Sequence, residues 1–85
     1  MSNIVYTKDN CPYCVKAKTL LTIKNIPFSE VKLGVDMQRE DFIAMFPEQK
    51  TVPLIIMNGV KIGGFDKLTE WFDNGGSQFL AENPA

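Results

Sequence analysis

The chain has 85 residues, 45% hydrophobic and 11% aromatic, with nine basic and ten acidic side chains giving a formal charge of −1. Such a length makes one small domain, expected over 1–85 with a frayed tail at 77–85, and the composition excludes a disordered chain. The even charge balance gives no sign of a nucleic-acid or membrane partner, no apolar run is long enough to span a bilayer, and "MSNIVYT" lacks the parts of a secretory leader. The expected compartment is the reducing cytosol, where a lasting structural disulfide is unusual.

In chain order, "NIVYT" (3–7) is a β-branched and aromatic run, hence a strand. After the polar "KDN", residues 14–25 show helical spacing: Cys14, Ala17 and Leu21 form an apolar line that Val15 and Leu20 widen, with Lys16, Lys18, Thr22 and Lys24 mostly outside it. Pro12 suits the first turn, because its missing N–H would have had no partner there. "PFSEVKL" (27–33) alternates as a second strand. "MQREDFIAMF" (37–46) predicts a helix burying Phe42, Ile43 and Phe46, capped by Asp36 and ended by Pro47. "LIIM" (54–57) and "VKI" (60–62) flank the hairpin dipeptide Asn58-Gly59. "FDKLTEWFDN" (65–74) predicts a last helix burying Leu68, Trp71 and Phe72, stopped at Gly75-Gly76, with Phe79 and Leu80 docking behind it. Tyr6, Met37, Met45 and Met57 read as packing residues. The order β-α-β-α-β-β-α belongs to the α/β class, a small mixed sheet covered by helices.

The two cysteines, Cys11 and Cys14, stand in "DNCPYC" and are the only ones in the chain. A zinc site wants four cysteine or histidine ligands, and this chain has two cysteines and no histidine, so no metal is expected. As a staple, a bridge between them closes almost no chain and constrains little. Redox chemistry remains. Cys11 falls at a helix N-terminus, where unpaired N–H groups and the helix dipole lower a thiol's pKa from ~8.5 toward roughly 3.5–7.5. Cys14 falls one turn inside, on the buried face. Cys11 is then the exposed nucleophile and Cys14 the shielded resolving thiol, with Lys8 adding a nearby positive charge.

Together, "YTKDNCPYCVKAKTLL", "TVPLIIMNG" and "IGGFDKL" resemble a small dithiol glutaredoxin of the bacterial and phage kind, over roughly residues 3–76. The resemblance implies a thioredoxin fold, with a central four-stranded mixed sheet flanked by three helices. It also implies an enzyme that reduces protein disulfides and glutathione mixed disulfides through a Cys11–Cys14 redox disulfide. Glutathione is then a cosubstrate, and no cofactor stays bound. The family holds Pro53 of "TVP" (Thr51, Val52, Pro53) in the cis form, facing the cysteines, so that the Val52 backbone pairs with the cysteine of glutathione like an added strand.

In the same reading, Gly64, Phe65 and Asp66 receive the γ-glutamyl end. Its carboxylate meets the helix N-terminus and its amine faces Asp66, which also caps that helix. Gly63 and Gly64 allow a close backbone approach. Lys8 and Gln49 are the partners of the glycine carboxylate, and Tyr13 flanks the sulfur. Phe65 stands where many relatives carry cysteine. In "EQKTVP", Lys50 replaces the usual arginine or threonine, and a lysine lacks the bidentate fork of arginine. Expected partners are glutathione and disulfide-bonded or glutathionylated proteins, with ribonucleotide reductase a plausible acceptor; the chain itself is expected to be monomeric. Two other functions stay open at this point: a thioredoxin-like reductase fed by a flavoprotein, and an iron–sulfur carrier in which Cys11 of two chains holds a cluster.

Overall fold

The computed structural model describes residues 3–74. The opening β-branched run forms β1 (Ile4–Thr7), with Val5, Tyr6 and Thr7 buried. After a short loop, α1 (Pro12–Ile23) begins with Pro12 in its first turn and Cys11 as its N-cap. It buries Cys14, Ala17 and Leu21. Val15, expected to widen that line, is 58% exposed. One residue past Cys14, it is rotated by about 100° away from the sheet.

β2 (Ser29–Lys32) is shorter than the alternation suggested and pairs parallel with β1, Ile4 opposite Ser29 and Thr7 opposite Lys32. α2 (Arg39–Met45) starts later than expected. Its N-cap is Gln38, which makes no side-chain capping bond. Asp36 does not cap it. Its Oδ2 instead accepts the Lys32 N–H at 3.0 Å, inside a turn where the Gly34 N–H reaches the Met37 carbonyl at 2.8 Å. Ile43 (48% exposed) and Met45 (53% exposed) also depart from expectation and face outward. A helix of seven residues turns only one narrow stripe to the sheet, and Phe42 occupies it.

β3 (Leu54–Met57) and β4 (Val60–Gly63) form the expected hairpin, with Asn58 at φ 53° and Gly59 at φ 82° in the left-handed region. α3 (Phe65–Asp73) closes the described chain, with Asn74 as its C-cap. Its predicted stop at Gly75-Gly76 and the docking of Phe79 and Leu80 lie outside the described residues.

The sheet order is β2-β1-β3-β4, with β1–β2 parallel and the other pairs antiparallel. Because strand side chains alternate, the central strands β1 and β3 each feed two cores. Val5, Ile55 and Met57 meet Ala17 and Leu21 of α1 and Leu68 of α3 on one face, where Trp71 and Phe72 pack half-buried. Tyr6 and Leu54 meet Phe42 on the other, with Ile4, Ile56 and Phe46 around them. Rings of Tyr6, Phe42 and Phe46 stand 5.3–5.4 Å apart, centroid to centroid. Three segments therefore meet at one end of the sheet: the loop after β1, the segment before β3, and the β4–α3 junction.

Candidate active site

Cys11 has an extended backbone (φ −123°, ψ 95°), and its carbonyl accepts the N–H groups of Cys14 at 3.1 Å and Val15 at 3.2 Å. Its sulfur also accepts the Cys14 N–H, at 3.2 Å. That N–H and the helix N-terminus both favour negative charge on this sulfur. The two cysteine Cα atoms are 5.2 Å apart and the sulfurs are in bonding contact, so the pair is disulfide-capable. Cys11 is the more accessible of the two, but by a narrow margin, 9% against 2% exposed.

Across from the pair, the Val52–Pro53 bond is cis, as the sequence reading held. The Val52 carbonyl oxygen lies 3.7 Å from Cys11 Sγ. Among the described residues, the Val52 N–H and C=O join no backbone hydrogen bond. A short stretch of backbone without a backbone partner, just before β3, thus lies beside the sulfur.

Three hollows meet here. The first, about 460 Å³, is lined by Tyr13, Thr51, Val52, Pro53, Gly64, Phe65 and Asp66, so seven of the residues singled out from the sequence share one cavity. Tyr13 and Phe65 face each other across it with ring centroids 6.1 Å apart, and Lys16 Nζ lies 5.0 Å over the Tyr13 ring. Asp66 does not cap α3: the N-cap is Gly64, which has no side chain to offer. Asp66 sits inside the first turn instead, and the opening N–H groups of α3 carry no side-chain cap. A Cβ on Gly64 would come within 3.3 Å of Asp66 Oδ1 and 3.7 Å of the Pro53 carbonyl, so glycine keeps this corner open.

The second hollow, about 540 Å³, reaches the pair from behind and includes Cys11, Cys14, Lys8, Lys18, Glu30 and Lys32. Sequence reasoning missed its polar network. The Thr7 hydroxyl donates to Glu30 Oε2 at 2.6 Å, and Lys18 Nζ bridges to the same oxygen at 3.1 Å. The Thr7 hydrogen bond, followed by the lysine, holds the Glu30 carboxyl below its ordinary range, while burial opposes them. Lys32 pairs with Asp9 at 3.0 Å, and that contact pushes its ammonium pKa up. The only sequence signal for this cluster was the outward face of "SEVK".

Lys8 and Gln49 lie apart from the first cavity, along a third hollow beside Thr51 and Val52. Gln49 Nε2 donates to the Thr51 carbonyl at 2.9 Å, which occupies one of its two N–H bonds.

The glutaredoxin family model matches residues 3–62, a span that includes both cysteines and Thr51–Pro53 and ends before Gly64. Glutaredoxin 1 of Rickettsia conorii is 39% identical over 82 residues, covering 94% of this chain and 80% of that one. The solution structure of a glutaredoxin from Brucella melitensis aligns with a TM-score of 0.77 at 32% identity, over 94% of this chain and 87% of its own. This likeness identifies the sheet and its helices as the thioredoxin fold. A buckwheat glutaredoxin–glutathione complex aligns with a TM-score of 0.71 over 86% of this chain and 69% of that one; at 24% identity it speaks to the fold alone.

Proposed function

The chain belongs to the glutaredoxin family and carries that family's redox-active cysteine pair, and from that premise we propose that it is a glutathione-dependent thiol–disulfide oxidoreductase. The observation that carries this reading is the unpaired Val52 edge 3.7 Å from Cys11 Sγ. A γ-linked tripeptide with a central cysteine fits there. Its cysteine backbone pairs with Val52 and brings its sulfur to Cys11. Its γ-glutamyl carboxylate takes the uncapped N–H groups at the start of α3, and its amine faces Asp66. Tyr13 and Phe65 wall the sulfur, Thr51 and Pro53 hold Val52 in place, and Gly64 leaves room for the backbone. Lys8 and Gln49 take the glycine carboxylate at the other end.

The reaction follows. The Cys11 thiolate attacks the glutathione sulfur of a mixed disulfide, forming the Cys11–glutathione disulfide and expelling the protein thiolate. A second glutathione thiolate then attacks that disulfide, releasing oxidised glutathione and restoring the Cys11 thiolate. On a protein disulfide, Cys11 attacks one sulfur and leaves the other as a thiolate. Cys14 then attacks Cys11, freeing the reduced protein and closing the Cys11–Cys14 bridge, which two glutathiones reopen. The N–H bond onto Cys11 Sγ and the burial of Cys14 support this division of labour. We place the enzyme in the cytosol as a monomer, acting on glutathionylated and disulfide-bonded proteins, with ribonucleotide reductase among the acceptors.

The test is turnover of a glutathione mixed disulfide coupled to glutathione reductase and NADPH. Cys11→Ser reduces turnover to background. Cys14→Ser retains it, while losing reduction of protein disulfides. Asp66→Asn raises KM about tenfold, the worth of one charge-assisted hydrogen bond. An inactive wild type would overturn the reading.

A further inference from the structure

Beside Val52, on the side away from Asp66, lies the largest hollow described, about 630 Å³. Its apolar lining includes Leu33, Phe42 and Ile43, and its cations are Lys8, Arg39 and Lys50. No carboxylate lines it. Three acids of the described residues engage other lysines, Glu30 with Lys18, Asp9 with Lys32 and Glu70 with Lys67, while none of the three groove cations is in an ion pair among the described residues. The lining itself therefore carries three positive charges and no negative one, over an apolar wall.

We infer that this groove binds the stretch of an acceptor polypeptide that follows its reactive cysteine, and selects acidic and aliphatic side chains there. Two observations set the occupant. The first is continuity: Val52 and Lys8 line this groove and also the hollows that adjoin the cysteines. A strand paired with the Val52 edge must therefore run on into it. The direction rests on the proposed function, in which the γ-glutamyl end turns toward Asp66; the chain beyond the cysteine then leaves past Lys8. Val52 itself packs on the cluster that holds Phe42 of α2, so the groove begins where the paired strand ends.

The second observation is the chemistry of the lining. A free phosphate has no use for an apolar wall. A nucleic-acid strand needs aromatic faces to stack on, and the lining's aromatic ring, Phe42, is 3% exposed. Ile43, by contrast, leaves 48% of its surface uncovered at the groove, where a leucine side chain can cover it. Glutathione ends with its glycine at Lys8 and Gln49, the near end of the groove, whereas a polypeptide runs on to Arg39 and Ile43. The stretch along α2 thus separates protein substrates from one another.

The test uses short peptides with serine in place of the reactive cysteine, followed by Glu-Leu-Glu in one and Lys-Ser-Lys in the other. Each is titrated into the wild-type protein and followed by backbone amide NMR. The acidic peptide should shift Arg39, Ile43 and Gln49 and bind at least about fivefold tighter than the basic one, an advantage lost at high salt. Arg39→Glu should remove or reverse the preference; glutamate suits the first turn of α2, so the fold is kept. Ile43→Ser should weaken the acidic peptide alone.

Equal affinities, no binding of the acidic peptide, or shifts confined to α1 and α3 would overturn the inference. The peptides carry no sulfur, so their binding does not depend on catalysis. Turnover of a glutathione mixed disulfide by the same wild-type sample judges the proposed function separately. A protein that discriminates between the peptides yet turns over nothing keeps the groove and loses the reaction.

Discussion

On one face of the sheet, two helices close over Val5, Ile55 and Met57 with Ala17, Leu21 and Leu68, all 2% exposed or less. On the other, the short α2 and its C-cap residue cover Tyr6 and Leu54 through Phe42 and Phe46, leaving Ile43 and Met45 in solvent. The redox pair at the head of α1 and the Gly64–Asp66 corner at the head of α3 both stand on the first face. The cation-lined groove stands on the second. Reacting atoms need positions fixed to a fraction of an ångström, and a dense core on paired helices supplies that. A surface that accepts varied polypeptides gains from a thinner, less constrained support.

Substitutions on the two faces should separate them. The largest effect is expected from Leu21→Ala, which empties a fully buried site and should lower unfolding free energy by about 2–5 kcal/mol in urea melts, with cysteine reactivity disturbed as well. Phe42→Leu keeps the site apolar and should cost less than about 1.5 kcal/mol. Its mark should be local, with faster amide exchange in α2 and unchanged exchange in α1. Equal acceleration in both helices would make the two faces one cooperative unit and end the distinction.

The smallest effect sharpens the view of the first face from behind. Glu30 has a folded pKa below its ordinary range, so its contribution to stability is present above that range and disappears as pH falls through the lowered value. Glu30→Gln should therefore flatten the acid side of the stability profile below about pH 4.3, by a few tenths of a kcal/mol for a group this exposed. Thr7→Val should weaken the same acid dependence, because the strongest contact holding Glu30 is the threonine hydroxyl. An unchanged acid limb in both variants would detach this network from stability.

Much of the architecture was legible because its causes are local. The short runs 54–57 and 60–62, Asn58-Gly59 between them, and the Cys14–Ala17–Leu21 spacing each name their element within a few residues. The two caps assigned to aspartates failed for an equally local reason: Asp36 and Asp66 each lay one turn or less from a helix start, and each had an alternative. Asp36 bonds the Lys32 N–H in its own turn, and Asp66 falls inside α3 because Gly64 adopts the extended conformation of the cap. Val15 and Ile43 were misplaced because composition shows that a residue is apolar, while only the helix phase against the sheet shows whether it is covered.

What stayed hidden was long-range. Thr7 reaches Glu30 across 23 positions through the parallel pairing of β1 with β2, and Lys18 of α1 reaches the same carboxylate across 12. The groove was equally invisible, since Lys8, Arg39 and Lys50 become neighbours only once the chain has folded.

Asn3 precedes β1 at the end remote from the cysteines. Its side-chain Nδ2 donates to the Pro27 carbonyl at 3.0 Å, and its Oδ1 accepts the Asn58 N–H at 2.7 Å. One amide thus clasps the lead-in to β2 and the β3–β4 turn, reaching 24 and 55 positions along the chain. The bond between Cys11 and Cys14 spans only three positions and joins no distant parts. Opening and closing it alters a local ring, while the clasp at the far end holds the strands together in either state. A chain whose covalent crosslink is redox-active has its scaffold secured by hydrogen bonds that no reductant can cut.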